Sequence, residues 1–158
     1  FEEGGIAGWQ PTFDKAITKW DIVGGSAGKH ALRLDVAAPG EENFRSLFQS
    51  IDLNPYFAQL KPDEYLKLKV SCSTRRDNVV GRGSTLAGLY YNAEGKRIGG
   101  IEDAYRTGTH GWKTVAASGK VPPQAARLGV EYYIAPHTTG GFEVDDVKAE
   151  LEVWKRPE

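Results

Sequence analysis

Cysteine occurs once in these 158 residues, so the chain holds neither an internal disulfide nor a cysteine metal cluster. Cys72 shares the apolar parity of Leu66, Leu68 and Val70. It is therefore expected to be a buried, inert thiol rather than a nucleophile. No sign of charge dominates: 20 Lys and Arg against 21 Asp and Glu leave a formal net charge of −1. That balance gives no electrostatic reason to expect nucleic acid or an anionic membrane as partner. No apolar run approaches the roughly 20 residues of a spanning helix. No signal peptide stands at the start, and a chain beginning without Met is compatible with one having been trimmed. Histidine is scarce, and His30, His110 and His137 are scattered without metal-ligand spacing. There is no Gly-x-Ser-x-Gly, no phosphate-binding loop and no dinucleotide fingerprint. Glu102 and Asp103 are adjacent, so on an extended chain they point to opposite sides, which suits no acid/base pair. The chain is expected not to be an enzyme.

Helical periodicity is missing as well, whereas period-2 alternation is abundant. Leu32, Leu34 and Val36 alternate with Arg33 and Asp35. Leu47, Gln49, Ile51 and Leu53 share one parity, leaving Phe44, Ser46, Phe48 and Ser50 on the other. Further strands are expected over Tyr65 to Ser73, Leu86 to Tyr91, Lys96 to Ile101, Trp112 to Ala117, Ala126 to Ala135 and Phe142 to Trp154. In the last of these Val147, Ala149, Leu151 and Val153 are expected on one face. Asn92-Ala93-Glu94-Gly95 reads as a hairpin-type turn. About eight strands separated by turn signals point to an all-β, two-sheet antiparallel β-sandwich or jelly roll. There is no internal repeat and no low-complexity linker, so residues 1–158 are expected to form a single domain. The tail Lys155-Arg156-Pro157 is expected to mark a boundary at which a module was cut from a longer protein.

The two ends of the chain carry carboxylates. Gly140-Gly141-Phe142-Glu143-Val144-Asp145-Asp146 puts two acids on a strand, so one faces away from water, which is costly for an unpaired charge. Phe1-Glu2-Glu3-Gly4 supplies a second acidic pair. Either these are solvated patches or they share a hard cation, with calcium the natural candidate.

Phe1 to Gly4 with Gly8-Trp9, Gly24 through Leu32, Leu89 through Lys96, Gly111-Trp112-Lys113, Val121-Pro122 and Phe142 through Val147 follow one another in a particular order. In that order the chain resembles carbohydrate-binding modules of the galactose-binding-like jelly-roll group, which includes families four, nine, sixteen and twenty-two. The resemblance covers nearly the whole chain. It implies one concave sheet and a structural calcium near the termini. By position the ligands would be Glu2 and Asp145, with main-chain carbonyls from the Ser26 to Lys29 turn.

Sugar recognition needs flat apolar surfaces for pyranose faces and polar groups for hydroxyls. Opposite Leu128, Val130 and Ile134 stand Arg127, Glu131 and Tyr133, with Tyr91 and Phe48 on matching parity of their own strands. Tyr105 and Trp20 are expected at the rims. Trp9, Trp112, Tyr65, Tyr90 and Tyr132 are assigned to the core. The expected function is non-catalytic binding of a polysaccharide or oligosaccharide. The module would act as a monomeric part of a secreted, extracellular multidomain enzyme that it targets to its glycan. Two alternatives remain open. One is a structural or adhesive sandwich without glycan binding. The other is binding of an acidic polysaccharide through Arg75, Arg76 and Arg82, which cluster beside a polar loop.

Overall fold

Alternation in the sequence becomes strand almost everywhere. The elements are β1 (Gln10–Pro11), β2 (Thr18–Val23), β3 (Ala31–Val36), β4 (Arg45–Asp52), β5 (Glu64–Tyr91), β6 (Arg97–Glu102), β7 (Arg106–Lys120), β8 (Arg127–Ile134) and β9 (Thr139–Lys155). A single helical turn, α1 (Asn54–Phe57), carries a proline in its first turn, where a missing N–H costs nothing. The computed structural model describes residues 9–11, 18–25, 30–37 and 45–157, with positions 10–11, 18–22 and 45–46 described by backbone alone.

All strand pairs are antiparallel, along the path β1-β4-β8-β5-β9-β3-β2, with β6 and β7 also paired to β5. The 28-residue β5 serves both layers. Its second half, Ser84 to Tyr91, pairs with β8, and the stretch from Ala87 also pairs with β6. Its first half pairs with β7 and β9. The two halves face each other across the core, since a Cβ on Gly88 would meet Leu68 Cδ2 at 2.8 Å and Val70 Cγ1 at 3.4 Å. The expected two-sheet antiparallel sandwich is therefore what forms, with one continuous strand running through both sheets.

Between the layers lie Leu32, Leu34, Val36, Leu47, Leu66, Leu68, Val70, Leu86, Tyr90, Leu128, Val130, Tyr132, Ile134, Phe142 and Val144, all buried. Each such side chain contributes about 1.5–3 kcal/mol when fully removed from water. Cys72 is buried among them, and desolvation pushes its thiol up to about 12, as expected of an inert cysteine. The Asn92–Gly95 turn also forms as expected. Asn92 Oδ1 accepts the N–H groups of Glu94 (3.1 Å) and Lys96 (2.9 Å), and Gly95 takes φ +79°.

Two expectations are corrected. The polar loop carrying Arg75, Arg76 and Arg82 is strand, part of β5, which bends there through register shifts and positive φ at Asn78, Gly81 and Gly83. Tyr65 and Trp112 are half-buried and lie outside the core cluster, whereas Tyr90 and Tyr132 are inside it and Trp9 packs against it. Tyr65 takes the outward parity of β5 because Leu66, Leu68 and Val70 take the inward one, and Lys120 Nζ sits 4.9 Å from its ring centroid. On β9 the expected shared face of Val147, Ala149, Leu151 and Val153 forms, since Ala149, Leu151 and Val153 pair with the inward residues Val70, Leu68 and Leu66; Val147 and Leu151 pack on the core, while Ala149 and Val153 are exposed. A bulge sets the parity of that face: Ser71 pairs Lys148 while Ser73 pairs Asp145, so β9 carries one extra residue and Asp146 takes φ +50°. The inward parity thereby switches from Phe142 and Val144 to Val147 and Leu151.

Candidate functional site

The layer β1-β4-β8-β5-β6 has one face on the core and one turned away from it. Register places the residues of that second face in rows. Phe48, Glu131, Ala87 and Glu102 lie side by side across β4, β8, β5 and β6. The next row on one side is Ser46, Tyr133 and Thr85. On the other side come Ser50, Gly129, Leu89 and Gly100, and then Asp52, Arg127, Tyr91 and Arg97. Five expected site residues, Phe48, Tyr91, Arg127, Glu131 and Tyr133, thus share one face. Because the side-chain period of a strand is two, parity counted along each strand sufficed to group them.

Glu131 is the centre of this face. It is only 6% exposed, an unusual state for a carboxylate. Its side chain lies over Gly129, where a Cβ would come within 3.2 Å of Glu131 Oε1 and 3.3 Å of Tyr91 Cε2. Glycine is thus what lets the carboxylate and the tyrosine ring settle onto the strand. The Tyr91 hydroxyl donates to Oε1 across a long 3.5 Å. Burial pushes the Tyr133 hydroxyl far above its ordinary range, and the Glu131 carboxylate beside it adds to the shift through its hydrogen bond and charge. Burial likewise raises Tyr91, followed by the charge of Glu131, with Arg97 pulling the other way. The second oxygen, Oε2, is buried without a hydrogen-bond partner among the described residues. An acceptor left in that condition costs about 1–3 kcal/mol, more when charged. Such a group is ready to receive a ligand donor.

The flanks are polar. Arg127 Nε and Nη2 donate to Ser50 Oγ at 3.0 and 2.7 Å, which ties the guanidinium to β4. Tyr105, in the connection between β6 and β7 three residues beyond Glu102, is stacked under Arg82 (4.5 Å from guanidinium carbon to ring centroid). Trp20 is not on this face: it lies on β2, the last strand of the other layer, opposite core residue Leu34. Arg97 is a residue that parity reading missed. The Asn92–Gly95 turn by itself would pair Tyr91 with Lys96, and it is the register irregularity between Tyr90 and Tyr91 that sets Arg97 opposite Tyr91.

Glu2, Ser26 and Lys29, expected calcium ligands, lie outside the described residues. Asp145, the fourth, is on the bulge of β9 and 4% exposed, with Oδ1 accepting the Asp146 N–H at 2.7 Å. Asp146 is exposed and pairs with Lys148 Nζ at 3.1 Å. A buried carboxylate at a bulge suits a hard cation chemically. Among the described residues no three His, Cys, Asp or Glu side chains converge as a metal cluster. The neighbouring acid Glu143 has another role, since its Oε1 accepts from Arg33 Nη1 at 3.1 Å and Arg75 Nε stands 3.6 Å from its Oε2.

The three arginines proposed to act together diverge. Arg75 faces outward to Glu143, Arg82 lies over Tyr105, and Arg76 is buried. The bend in β5 separates them, so they form no common patch.

No family model matches the chain, and no curated protein sequence matches it at a significant level. Solved structures do match. The enzymatically active domain of tailspike protein 4 from bacteriophage CBA120 is 16% identical, with a TM-score of 0.68 over 96% of this chain. The chain spans 20% of the length of that tailspike chain. The family 11 carbohydrate-binding module from Clostridium thermocellum, solved with a β-1,3-1,4-mixed-linked tetrasaccharide, is 12% identical. Its TM-score is 0.62, over 93% of this chain and 91% of that one. The family 22 xylan-binding domain from Paenibacillus barcinonensis Xyn10C is 13% identical, with a TM-score of 0.52 over 95% and 89% of the two chains. At these identities the likeness is one of fold. The chain has the jelly-roll fold of the carbohydrate-binding modules, as its sequence resemblance implied.

Proposed function

We propose that this domain is a non-catalytic carbohydrate-binding module whose ligand lies on the β4-β8-β5-β6 face. The observation that carries the reading is the Glu131 carboxylate, buried between two tyrosines with Oε2 lacking a donor among the described residues. A sugar hydroxyl supplies such a donor. The rings of Phe48, Tyr91 and Tyr133 offer the apolar surface that the C–H faces of a pyranose require. Arg127 and Arg97 present N–H donors to further hydroxyls, and Tyr105 closes the β6 edge. The family 11 neighbour, solved with a β-1,3-1,4-mixed-linked tetrasaccharide, and the family 22 neighbour, named as xylan-binding, make such mixed-linked oligosaccharides and xylan the first ligands to try. A module of this kind would hold a secreted parent enzyme at its substrate, raising effective concentration rather than doing chemistry.

A glycan array followed by titration calorimetry tests the reading. Tyr133→Ala is expected to weaken binding of an array hit by about 1–3 kcal/mol, tenfold or more. The fold should survive, because the ring lies outside the core cluster. An array without hits would favour a purely structural or adhesive sandwich. Unchanged affinity in a folded Tyr133→Ala protein would move the site off this face.

A structural calcium forms part of the proposal, held by Asp145 with Glu2 and main-chain carbonyls of Ser26 and Lys29. An ion that binds only the folded state adds about 2.7 kcal/mol at a hundredfold excess over its dissociation constant. Excess chelator is therefore expected to lower the melting temperature while changing glycan affinity little, since Asp145 is on the other layer. An identical melting curve with chelator, and no metal by elemental analysis, would remove the ion from the account.

A further inference from the structure

Arg76 points inward from β5 and is only 2% exposed. Its guanidinium is held from three sides: Nε donates to Ser84 Oγ (3.1 Å), Nη2 to the Ser84 carbonyl (3.3 Å) and Nη1 lies 2.7 Å from His110 Nε2. Because arginine can only donate, His110 must accept at Nε2 and carry its proton on Nδ1, which then donates to the Gly111 carbonyl at 2.7 Å. Ser84 Oγ is tied in turn to the Tyr132 hydroxyl (2.8 Å), and that hydroxyl to Thr74 Oγ1 (3.2 Å). The guanidinium is thus fixed by neutral groups, and no carboxylate among the described residues lies within ion-pair distance of it. Asp103, the acid on this side, is taken by Arg106 at 3.0 and 3.2 Å. A buried cation without a counter-charge is costly, and stable proteins rarely leave one.

Beside it opens a pocket of about 340 Å³, lined by Arg76, Arg106, Thr107, His110, Lys113 and Thr114. Every ionisable group in that lining is basic. Register explains the convergence, since Thr74 pairs Lys113, Arg76 pairs His110 and Ser84 pairs Arg106, which brings the inward parity of β5 and β7 to one place. The pocket belongs to the β5–β7 edge, not to the face that carries Glu131.

We infer that this pocket is an oxyanion-binding site, taking a carboxylate or sulfate group borne by an acidic sugar or free in solution. A planar guanidinium held by fixed neighbours suits two-point contact with such a group, and Lys113 adds an adaptable point charge. The threonine hydroxyls supply further donors. The site stands independently of glycan binding on the other face.

The test is the melting temperature of the intact chain during titration with sulfate, galacturonate and an oligogalacturonide, against chloride at matched ionic strength. A saturable rise is expected in the wild type. Lys113→Ala should need about tenfold more ligand for the same rise, the usual effect of losing one charge-assisted hydrogen bond. Lys113→Glu should abolish the rise, because its carboxylate would occupy the basic pocket. Both substitutions are at an exposed position and leave the core untouched. A tighter response to the oligogalacturonide than to the free ions would assign the site to acidic glycans, and equal responses would assign it to free oxyanions. Absence of any saturable rise in the wild type, or an undiminished rise in Lys113→Glu, would overturn the inference.

Discussion

Glu131→Gln is expected to weaken glycan binding on the β4-β8-β5-β6 face by about 10- to 100-fold without unfolding the domain. The substitution keeps the shape of the side chain and removes its charge. Hydrogen bonds to a charged group are worth about 1.5–3 kcal/mol, and each 1.4 kcal/mol is about tenfold in affinity. Stability should change in the opposite sense. In the free protein the carboxylate is 6% exposed, and Oε2 has no donor among the described residues, so the folded state carries an uncompensated desolvation cost. A neutral amide lowers that cost, so the melting temperature is expected to hold or rise. Opposite movement of the two quantities is what marks a functional group, because a residue kept for packing would lose both together. Calorimetric titration and thermal unfolding of the same preparation check it. Wild-type affinity in Glu131→Gln would show that the carboxylate meets no sugar hydroxyl.

Gly83→Ala is expected to be among the most destabilising single-methyl substitutions in the chain. Gly83 sits where β5 leaves one layer for the other, with φ +99°, and a Cβ there would run into the main-chain carbonyl oxygen of Arg106. The left-handed backbone alone costs an alanine about 1–2 kcal/mol. Forcing atoms into a filled space adds about 1–3 kcal/mol, and here the obstacle is backbone already paired to Ser84, not a side chain that can rotate away. The total is about 2–5 kcal/mol, which in a domain of this size lowers the melting temperature by about 4–20 °C. Gly95→Ala is the control. It also has positive φ, at +79°, but nothing lies within 4 Å of the added Cβ, so only the conformational term applies. Equal losses in the two variants would mean that the corner relaxes freely.

The sequence by itself determined the strands and most of the candidate face. Alternation is a local property: Leu128, Val130 and Ile134 must go inward together, which leaves Arg127, Glu131 and Tyr133 on the opposite side wherever β8 is placed. The same holds for Phe48 opposite Leu47, and for the Asn92–Gly95 turn, whose hydrogen bonds need only its own residues. The inert state of Cys72 was likewise legible from its parity. Tertiary structure alone decided three other things. A bulge reverses parity without changing composition, so the pair Asp145-Asp146 did not reveal that β9 would gain a residue there and turn Val147 inward. The stretch from Arg75 to Arg82 reads as a solvated loop because it is polar. It is strand because β7 and β9 supply partners on both sides, such as His110 for Arg76 and Phe142 for the same residue, and those lie far away along the chain. Arg76 is buried for the same reason, its guanidinium held by Ser84 and His110, neighbours that exist only once β5 has bent and β7 has docked. Whether a charged side chain is exposed depends on what folds over it, and that is set by distant strands, not by its own flanking residues.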